Sequence, residues 1–193
     1  KVVFKKRNEG KKNMKVTTIM ASPLKNGNGE IMVNEIIKGI KENNDIKITK
    51  YYLEDLNIES CHACGHCGDG IDCKIKDDGS EIIDNLLNTD LLIFSSPIYF
   101  GQMSAQGKTF IDRWYSIFTN PQKEFKGKAI LVFASMQPEG FYNPYIELTK
   151  TNTFQFMGWD VINTLSAGEV IMPGDVNNQV EKLKEAYEAG KAL

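Results

Sequence analysis

Apolar residues recur along the chain with two periods, one typical of strands and the other typical of helices. Between residues 30 and 41 they fall at i, i+3, i+4 and i+7 from Val33 to Ile40, which is the spacing of an amphipathic helix. Residues 16–21 form a short β-prone run, and a loop rich in Gly and Asn joins this run to the helix. The pattern therefore predicts a strand, a loop and a helix in this order.

The same alternation continues to the end of the chain. Strands are predicted at residues 16–21, 46–53, 90–95, 128–134 and 160–167, and helices at residues 30–41, 80–88, 105–118, 144–157 and 175–189. Strict alternation predicts a parallel sheet with helices on both faces, because right-handed crossovers place helices on each side. No repeat or linker follows residue 15. We therefore expect one domain over residues 15–193, with residues 1–14 as an N-terminal extension or a cloning remnant.

The composition is that of a globular domain. The chain has 193 residues, of which 41% are hydrophobic and 25% charged, so it can bury a core, and the disordered, collagen-like and disulfide-only classes are excluded. Its apolar runs are much shorter than the ~20 residues that cross a bilayer, and residues 1–7 lack the apolar segment of a secretory signal. We therefore expect a cytoplasmic protein with no membrane partner.

Charge is distributed unevenly along the chain. Of 23 basic and 25 acidic side chains, residues 1–15 carry seven basic and one acidic, which leaves 16 basic and 24 acidic side chains for the rest. Nucleic-acid affinity depends largely on Lys and Arg side chains that neutralise phosphates. The acidic body therefore predicts that nucleic acid is not a partner.

Ligands of open α/β sheets bind at the carboxyl ends of the strands, where the strand order reverses. Three predicted loops qualify, at residues 22–29, 96–104 and 135–143. The first runs from Ser22 through Asn26 and Gly27 into a helix, so it offers free N–H groups and a helix dipole to a phosphate. It matches neither the dinucleotide fingerprint nor the P-loop. A polar loop of this kind can equally be a plain turn.

The other two loops are aromatic where polar turn residues would be expected. The second contains Tyr99 and Phe100 beside Pro97, and the third contains Phe141 and Tyr142. Apolar surface at a strand end usually covers something flat or packs against another chain. Each set of rings alone could be core packing, but the three loops together predict a planar, phosphorylated ligand.

Three segments carry a family resemblance. They are Ala-Ser-Pro-Leu-Lys-Asn-Gly-Asn at 21–28, Ser-Pro-Ile-Tyr-Phe-Gly at 96–101, and residues 104–114 with Phe-Ile-Asp-Arg-Trp at their end. From about residue 15 onward, the chain resembles the flavodoxin-like NAD(P)H-dependent FMN reductase family, which includes the iron–sulfur flavoproteins. The resemblance implies a three-layer α/β sandwich around a five-stranded parallel sheet of order 2-1-3-4-5. It also implies homo-oligomers, either dimers or dimers of dimers, that complete the site.

The resemblance further implies FMN as the cofactor, with its phosphate on loop 22–28 and its ring against residues 97–101 and near 135–140. The implied cofactor-binding residues are Ser22, Leu24, Asn26, Gly27, Asn28, Pro97, Ile98, Tyr99, Phe100, Gly101, Ser135, Met136 and Gly140. Two positions depart from the family pattern. Gly29 stands where the family usually has Thr or Ser, which removes one phosphate hydroxyl, and Gly107 stands where it usually has Leu.

The four cysteines are clustered in the sequence with the spacing Cys-x2-Cys-x2-Cys-x5-Cys. They are Cys61, Cys64, Cys67 and Cys73. Such a cluster in a chain without an export signal favours metal or redox chemistry over structural disulfides. Three thiols three residues apart can converge on one iron–sulfur cubane, although the fourth comes later and no proline follows it. Zinc is the rival metal, with His62 and His66 nearby, but zinc sites usually pair two Cys-x2-Cys knuckles.

The family resemblance bears on these cysteines too. It implies a [4Fe-4S] cluster that passes electrons to FMN, as in the iron–sulfur flavoproteins, while close relatives keep similar cysteines without a clear cluster. Free or disulfide-forming thiols therefore remain an alternative. Both histidines are expected to be exposed loop residues.

The favoured hypothesis is an FMN-dependent oxidoreductase that takes hydride from NAD(P)H and passes electrons to an unidentified acceptor. The cofactor performs the transfer, so no catalytic side chain is assigned. One alternative is a non-enzymatic carrier that moves single electrons between a cluster, FMN and a protein partner. A more distant alternative is a phosphate-ligand sensor with a structural zinc.

Overall fold

A computed structural model describes residues 13–193, in which strands and helices alternate. The strands are β1 (Asn13–Met20), β2 (Asp45–Tyr52), β3 (Leu91–Tyr99), β4 (Gln102–Met103), β5 (Lys128–Ala134) and β6 (Asp160–Ala167). The helices are α1 (Asn28–Asn43), α2 (Asp78–Leu86), α3 (Ala105–Asp112), α4 (Tyr115–Phe118), α5 (Asn143–Thr149) and α6 (Val180–Lys191). None of these helices is long and apolar enough to span a membrane.

The five main strands form a parallel sheet in the order β2-β1-β3-β5-β6. This is the order 2-1-3-4-5 that the family resemblance implies, so the predicted flavodoxin-like fold is confirmed. The short strand β4 is an addition that pairs antiparallel with the end of β3, Ile98 opposite Met103. The strand order reverses between β1 and β3, where Met20 lies opposite Ser95. A ligand site is expected at the carboxyl ends of these two strands.

Two hydrophobic cores cover the two faces of the sheet, because successive strand residues point to opposite sides. Leu91 and Ile93 of β3 pack in the core under α1 and α6, whereas Leu92 and Phe94 pack in the core under α2, α3 and α5. The helices α1 and α6 approach each other closely. A Cβ atom on Gly190 would overlap the backbone of α1 at Ile36, so the contact requires glycine there.

Several element boundaries differ from the sequence predictions. The predicted helix 105–118 is divided into α3 and α4, and at the junction the Ser116 hydroxyl donates to the Arg113 carbonyl at 3.1 Å. Such side-chain bonds compete with regular helical pairing. The predicted helix 144–157 continues beyond α5 as π-helix, Lys150–Gln155, and the last predicted helix begins as a 3-10 turn, Asp175–Asn178.

The N-terminal boundary also differs. Strand β1 begins at Asn13, inside the segment that the sequence assigns to an extension. The rest of that segment, residues 1–12, lies outside the described residues.

Arg113 is a buried residue that holds the cysteine-containing segment against the fold. Its Nη1 atom donates to Asp77 Oδ2 at 2.7 Å and to the Glu59 carbonyl at 3.0 Å, and its Nη2 atom donates to the Ile75 carbonyl at 3.2 Å. The Asp77 carboxylate also accepts from the Glu59 N–H at 2.8 Å and caps α2 at the Ser80 N–H at 3.1 Å. One ion pair therefore secures both ends of segment 59–77.

The ionised form of this pair is favoured. Burial by itself would raise the pKa of Asp77, but the bond from Arg113 and the two backbone N–H groups outweigh it and hold the pKa below its ordinary value. Burial likewise opposes the charge on Arg113, but Asp77 outweighs it and raises the Arg113 pKa.

We predict that Asp77→Asn lowers the free energy of unfolding by about 3 kcal/mol near neutral pH, because it leaves a buried guanidinium without its counter-charge. Urea denaturation measures the change. The matched control is Glu124→Gln, which removes an acid paired with Lys126 at the surface and should alter stability little.

The same comparison has a pH signature. Because the folded state lowers the Asp77 pKa, the pair stabilises the parent fully above the unfolded-state pKa of about 4, and this stabilisation is lost as the pH falls through the folded-state pKa. The stability gap between the parent and Asp77→Asn should therefore narrow on acidification. A gap that is independent of pH, or no larger than that of the control, would contradict this account of Arg113.

Candidate functional site

A cavity of about 420 Å³ lies at the carboxyl ends of β1, β3, β5 and β6. It brings together residues from all three loops that the sequence singles out. Of the predicted cofactor-binding residues, those that line it are Ser22, Leu24, Gly27, Asn28, Pro97, Ile98, Tyr99, Phe100, Ser135 and Met136. Asn26, Gly101 and Gly140 do not line it, and each of these three has a positive φ angle that serves a turn.

The polar end of the cavity is the start of α1. The N–H groups of Asn28, Gly29 and Glu30 precede the first intrahelical hydrogen bond, which the Ile31 N–H donates to the Gly27 carbonyl at 3.1 Å. These groups have no partner within the helix, and the helix dipole adds partial positive charge there. This end of the cavity is therefore suited to an anion.

Glu30 fixes the conformation of the loop before α1. Its carboxylate is buried and accepts from the Asn26 N–H at 2.7 Å, from Lys50 Nζ at 3.2 Å and from the Tyr52 hydroxyl. Burial would raise the pKa of Glu30, but these donors outweigh it and lower the pKa. Burial, followed by the hydrogen bond to Glu30, raises the pKa of Tyr52 to about 12. The Asn26 N–H, proposed from sequence as part of the phosphate site, is thus used inside the loop.

The Asn28 side chain points away from the expected ligand. Its Nδ2 atom donates to the Met172 carbonyl at 3.0 Å, and its Oδ1 atom accepts from the N–H groups of Gly174 and Val176, both at 3.1 Å. The Asn28 side chain therefore holds the loop after β6, and its backbone N–H is one of the free groups at the start of α1.

That loop contributes to the cavity and is missed by the sequence analysis. Val170, Ile171 and Pro173 line the cavity together with residues of the first three loops. Its position could have been inferred, because it follows β6 at the same edge of the sheet. Its apolar composition contains no ligand signal. Gly29, Ser95 and Ala134 also line the cavity and were not predicted as ligand contacts. Gln137 and Tyr142 line it as well and belong to the third predicted loop, although neither was named among the cofactor-binding residues.

The apolar wall of the cavity is the turn between β3 and β4. Tyr99 is 47% exposed and Phe100 is fully exposed at the tip of the turn, with φ of 47° for Phe100 and 84° for Gly101. A hydrogen bond attaches the turn to α5: the Met103 N–H donates to the Tyr145 hydroxyl at 2.7 Å. A non-glycine residue in the left-handed region, with its ring in solvent, is typical of a functional surface.

The opposite wall is the loop after β5, which includes Ser135, Met136 and Gln137. Glu139 anchors this loop to β6: its carboxylate accepts from the Gly168 N–H at 2.9 Å, from Lys182 Nζ at 2.9 Å and from the Ser166 hydroxyl at 2.7 Å. The two walls leave a slot with apolar sides.

Gly107 has a structural reason to lack a side chain. A Cβ atom there would lie 3.1 Å from the Ala21 Cβ atom and 3.3 Å from the Phe94 ring. The Leu that the family pattern favours would not fit without movement of these neighbours. The departure at Gly107 thus allows α3 to pack closely on the end of β1.

The four cysteines line a second cavity, of about 370 Å³, together with Asp112 and Tyr115. Cys61 and Cys64 are exposed, Cys73 is half-buried and Cys67 is buried, and all are free thiols. Between residues 13 and 193, no three His, Cys, Asp or Glu side chains converge closely enough to hold a single metal ion. Both histidines are exposed, as expected, and His62 lies 3.4 Å from Glu59.

The donor set of this second cavity is compatible with an iron–sulfur cubane. A cubane binds each thiolate at a different iron corner, so its ligands surround a volume instead of meeting at a point. Burial, followed by the neighbouring Cys73 and Cys61 thiolates, raises the pKa of Cys67, which disfavours the thiolate form of this residue. The Cys67 carbonyl accepts from the Thr119 hydroxyl at 2.6 Å, which ties the segment to the end of α4.

Comparisons with known proteins agree with the fold. Residues 14–168 match the family model of the NADPH-dependent FMN reductases. An iron-sulfur flavoprotein of Archaeoglobus fulgidus is 30% identical over 186 residues, which cover 93% of this chain and 79% of that protein. An iron-sulfur flavoprotein of Methanocaldococcus jannaschii is 37% identical over 100 residues, which cover 52% of this chain and 51% of that protein.

A solved structure has a similar fold over nearly the whole chain. It is an NAD(P)H:quinone oxidoreductase from Methanothermobacter marburgensis, with a TM-score of 0.73 and 17% identity over 93% of this chain and 98% of that one. This similarity and the strand order show the fold, and the matched family model shows the family. The chain belongs to the NADPH-dependent FMN reductase family and is a flavodoxin-like, FMN-dependent oxidoreductase.

Proposed function

We propose that the chain binds FMN in the 420 Å³ cavity, takes hydride from NAD(P)H and passes the electrons to a separate acceptor. The observation that carries this proposal is the pairing, in one cavity, of free N–H groups at the start of α1 with the exposed rings of Tyr99 and Phe100. When bound, FMN supplies the hydride-accepting ring. The side chains of this chain bind it, orient it and leave one side accessible.

The division of the cavity supports this assignment. The N–H groups of Asn28 and Gly29 and the Ser22 hydroxyl suit a phosphate. Pro97 to Phe100 with Ser135 to Gln137 suit a flat ring. Asn28 positions the fourth loop, whose Ile171 completes the rim. No side chain is assigned to proton transfer.

The rim supports access for further molecules. Leu24, Tyr99, Phe100 and Met136 each line the cavity with about half or more of the side chain in solvent. A nicotinamide ring that lies over the flavin would contact this surface, and we propose that copies of the chain associate here as dimers or dimers of dimers.

The free thiols also suit a reducing compartment, so we propose a cytoplasmic location.

A second candidate function concerns the cysteines. We propose that Cys61, Cys64, Cys67 and Cys73 hold a [4Fe-4S] cluster that exchanges single electrons with the flavin. This second proposal is supported by the four thiols around one cavity and by the iron-sulfur flavoproteins among the relatives. In that case, the chain could act as an electron carrier for a protein partner instead of a nicotinamide-dependent enzyme.

We predict that the flavin released from the purified chain is FMN and that Ser22→Glu raises the Kd for FMN at least about tenfold, because the new carboxylate repels the phosphate at the helix N-terminus. Mass spectrometry identifies the flavin, and fluorescence titration measures the affinity. Riboflavin, which lacks the phosphate, is the control ligand.

The riboflavin affinity of Ser22→Glu should stay within about twofold of the parent. Equal losses for FMN and riboflavin would indicate a disturbed fold and not a phosphate contact. If FAD, or no flavin even after reconstitution, is found, the proposal is wrong.

We predict that anaerobic NADPH or NADH bleaches the FMN of the parent in a single two-electron phase, and that Cys64→Ser keeps this phase. The cysteine cavity is lined by α3, α4 and residues 61–75 and shares no lining residue with the flavin cavity. The same substitution should abolish transfer to a one-electron acceptor that depends on the cysteines. Stopped-flow absorbance measures both steps.

The carrier function predicts the opposite result. Both nicotinamides would then leave the flavin oxidised, while a reduced ferredoxin-like donor would reduce it in the parent and not in Cys64→Ser. That outcome would reject the reductase proposal and retain the carrier.

A further inference from the structure

We propose that the Ser95 hydroxyl of β3 donates a hydrogen bond to the ligand's phosphate, in the space that Gly29 leaves free at the start of α1. The inference rests on the proposed FMN site and deepens it, because it names a phosphate-binding residue that belongs to the sheet and not to the loop. Neither the loop pattern nor the aromatic segment points to Ser95.

The first observation is the state of the Ser95 side chain. The residue is 1% exposed, yet it lines the 420 Å³ cavity. Among residues 13–193 its hydroxyl engages in no hydrogen bond, unlike the neighbouring Ser96 hydroxyl, which donates to the Pro97 carbonyl at 2.8 Å and accepts from the Ser104 N–H at 3.0 Å. Unlike the Thr18 hydroxyl, which is fully enclosed without a partner, the Ser95 hydroxyl opens onto the cavity, where it is available to bond a polar ligand group.

The second observation is the relation between Ser95 and Gly29. A Cβ atom built on Gly29 would lie well within 3.0 Å of Ser95 Oγ, closer than real Cβ contacts. The serine hydroxyl therefore occupies the space into which a side chain at position 29 would extend. A Ser or Thr at position 29 would place its own hydroxyl in the same region, so the two hydroxyls fit together only if Ser95 Oγ or the helix start moves.

The backbone holds this hydroxyl in a fixed place. Ser95 lies opposite Met20 in the parallel pairing of β3 with β1, and its carbonyl accepts from the Ala21 N–H at 2.8 Å. Along β3 it points to the same face as Leu91 and Ile93, which is the face covered by α1. The hydroxyl thus lies beneath the helix start whose free N–H groups face the cavity, and a phosphate bound there would accept from both.

The test is the ratio of FMN to riboflavin affinity in three variants. Ser95→Ala should raise the Kd for FMN about tenfold and leave the riboflavin Kd unchanged, because only the phosphate loses a donor. The double variant Gly29→Ser/Ser95→Gly, which moves the hydroxyl from the strand to the helix, should regain most of the FMN affinity. Gly29→Ser alone should bind FMN poorly because its side chain collides with Ser95.

Thr18→Val is the matched control. The Thr18 hydroxyl lacks a hydrogen-bond partner too, but it is fully enclosed and Thr18 does not line the cavity. Its removal should not change the ratio. Thermal unfolding without flavin establishes that each variant is folded.

The outcomes separate this inference from the proposed function. If the parent binds FMN and Ser95→Ala keeps the parental FMN-to-riboflavin ratio, the role of Ser95 is wrong while the FMN site stands. If the parent binds no FMN at all, both are wrong. An unchanged FMN-to-riboflavin affinity ratio in Ser95→Ala, together with loss of FMN binding in the double variant, would also overturn the role of Ser95.

Discussion

The site depends on the reversal of strand order between β1 and β3. The buried Ser104 hydroxyl links the carboxyl ends of these two strands. This hydroxyl donates to the Ala21 carbonyl at 2.5 Å at the end of β1 and accepts from the Gly107 N–H at 3.1 Å in α3, while the Ser104 N–H donates to Ser96 of β3 at 3.0 Å. The loops that follow β1 and β3 diverge from the point where Ser104 links the two strands. A polar helix start and an aromatic turn therefore face each other across one cavity.

The short helix α3 connects the two candidate sites. Its N-cap, Ser104, lies beside the 420 Å³ cavity. At its other end, Asp112 lines the cysteine cavity and Arg113 binds the cysteine segment. Close packing at Gly107 fixes the first end and a buried ion pair fixes the second. An electron-transfer role for the cysteines would thus use a segment attached to the same helix that positions the flavin loops.

The sequence was sufficient to predict the parallel sheet and three of the four cavity loops, because apolar periodicity and Gly, Asn and aromatic residues at strand ends are local signals. The loop at residues 170–173 was missed because its recruitment depends on Asn28, which is distant in sequence. The division between α3 and α4 was missed because the apolar periodicity of residues 105–118 does not reveal the bond from the Ser116 hydroxyl to the Arg113 carbonyl at their junction. In the sequence, Ser95 could not be distinguished from an ordinary strand residue. Its proposed contact with the phosphate depends on the absence of a side chain at Gly29, which is close to it only in the folded chain.

The most direct test of the central claim, that the cavity between the ends of β1, β3, β5 and β6 is the flavin site, is a crystal structure of the chain grown with FMN. The account predicts the phosphate within hydrogen-bond distance of the backbone N–H groups of Asn28 and Gly29 and the Ser95 hydroxyl, with the ring between Tyr99 and Met136. A flavin bound in the cysteine cavity, or one whose phosphate lies away from the start of α1, would contradict it.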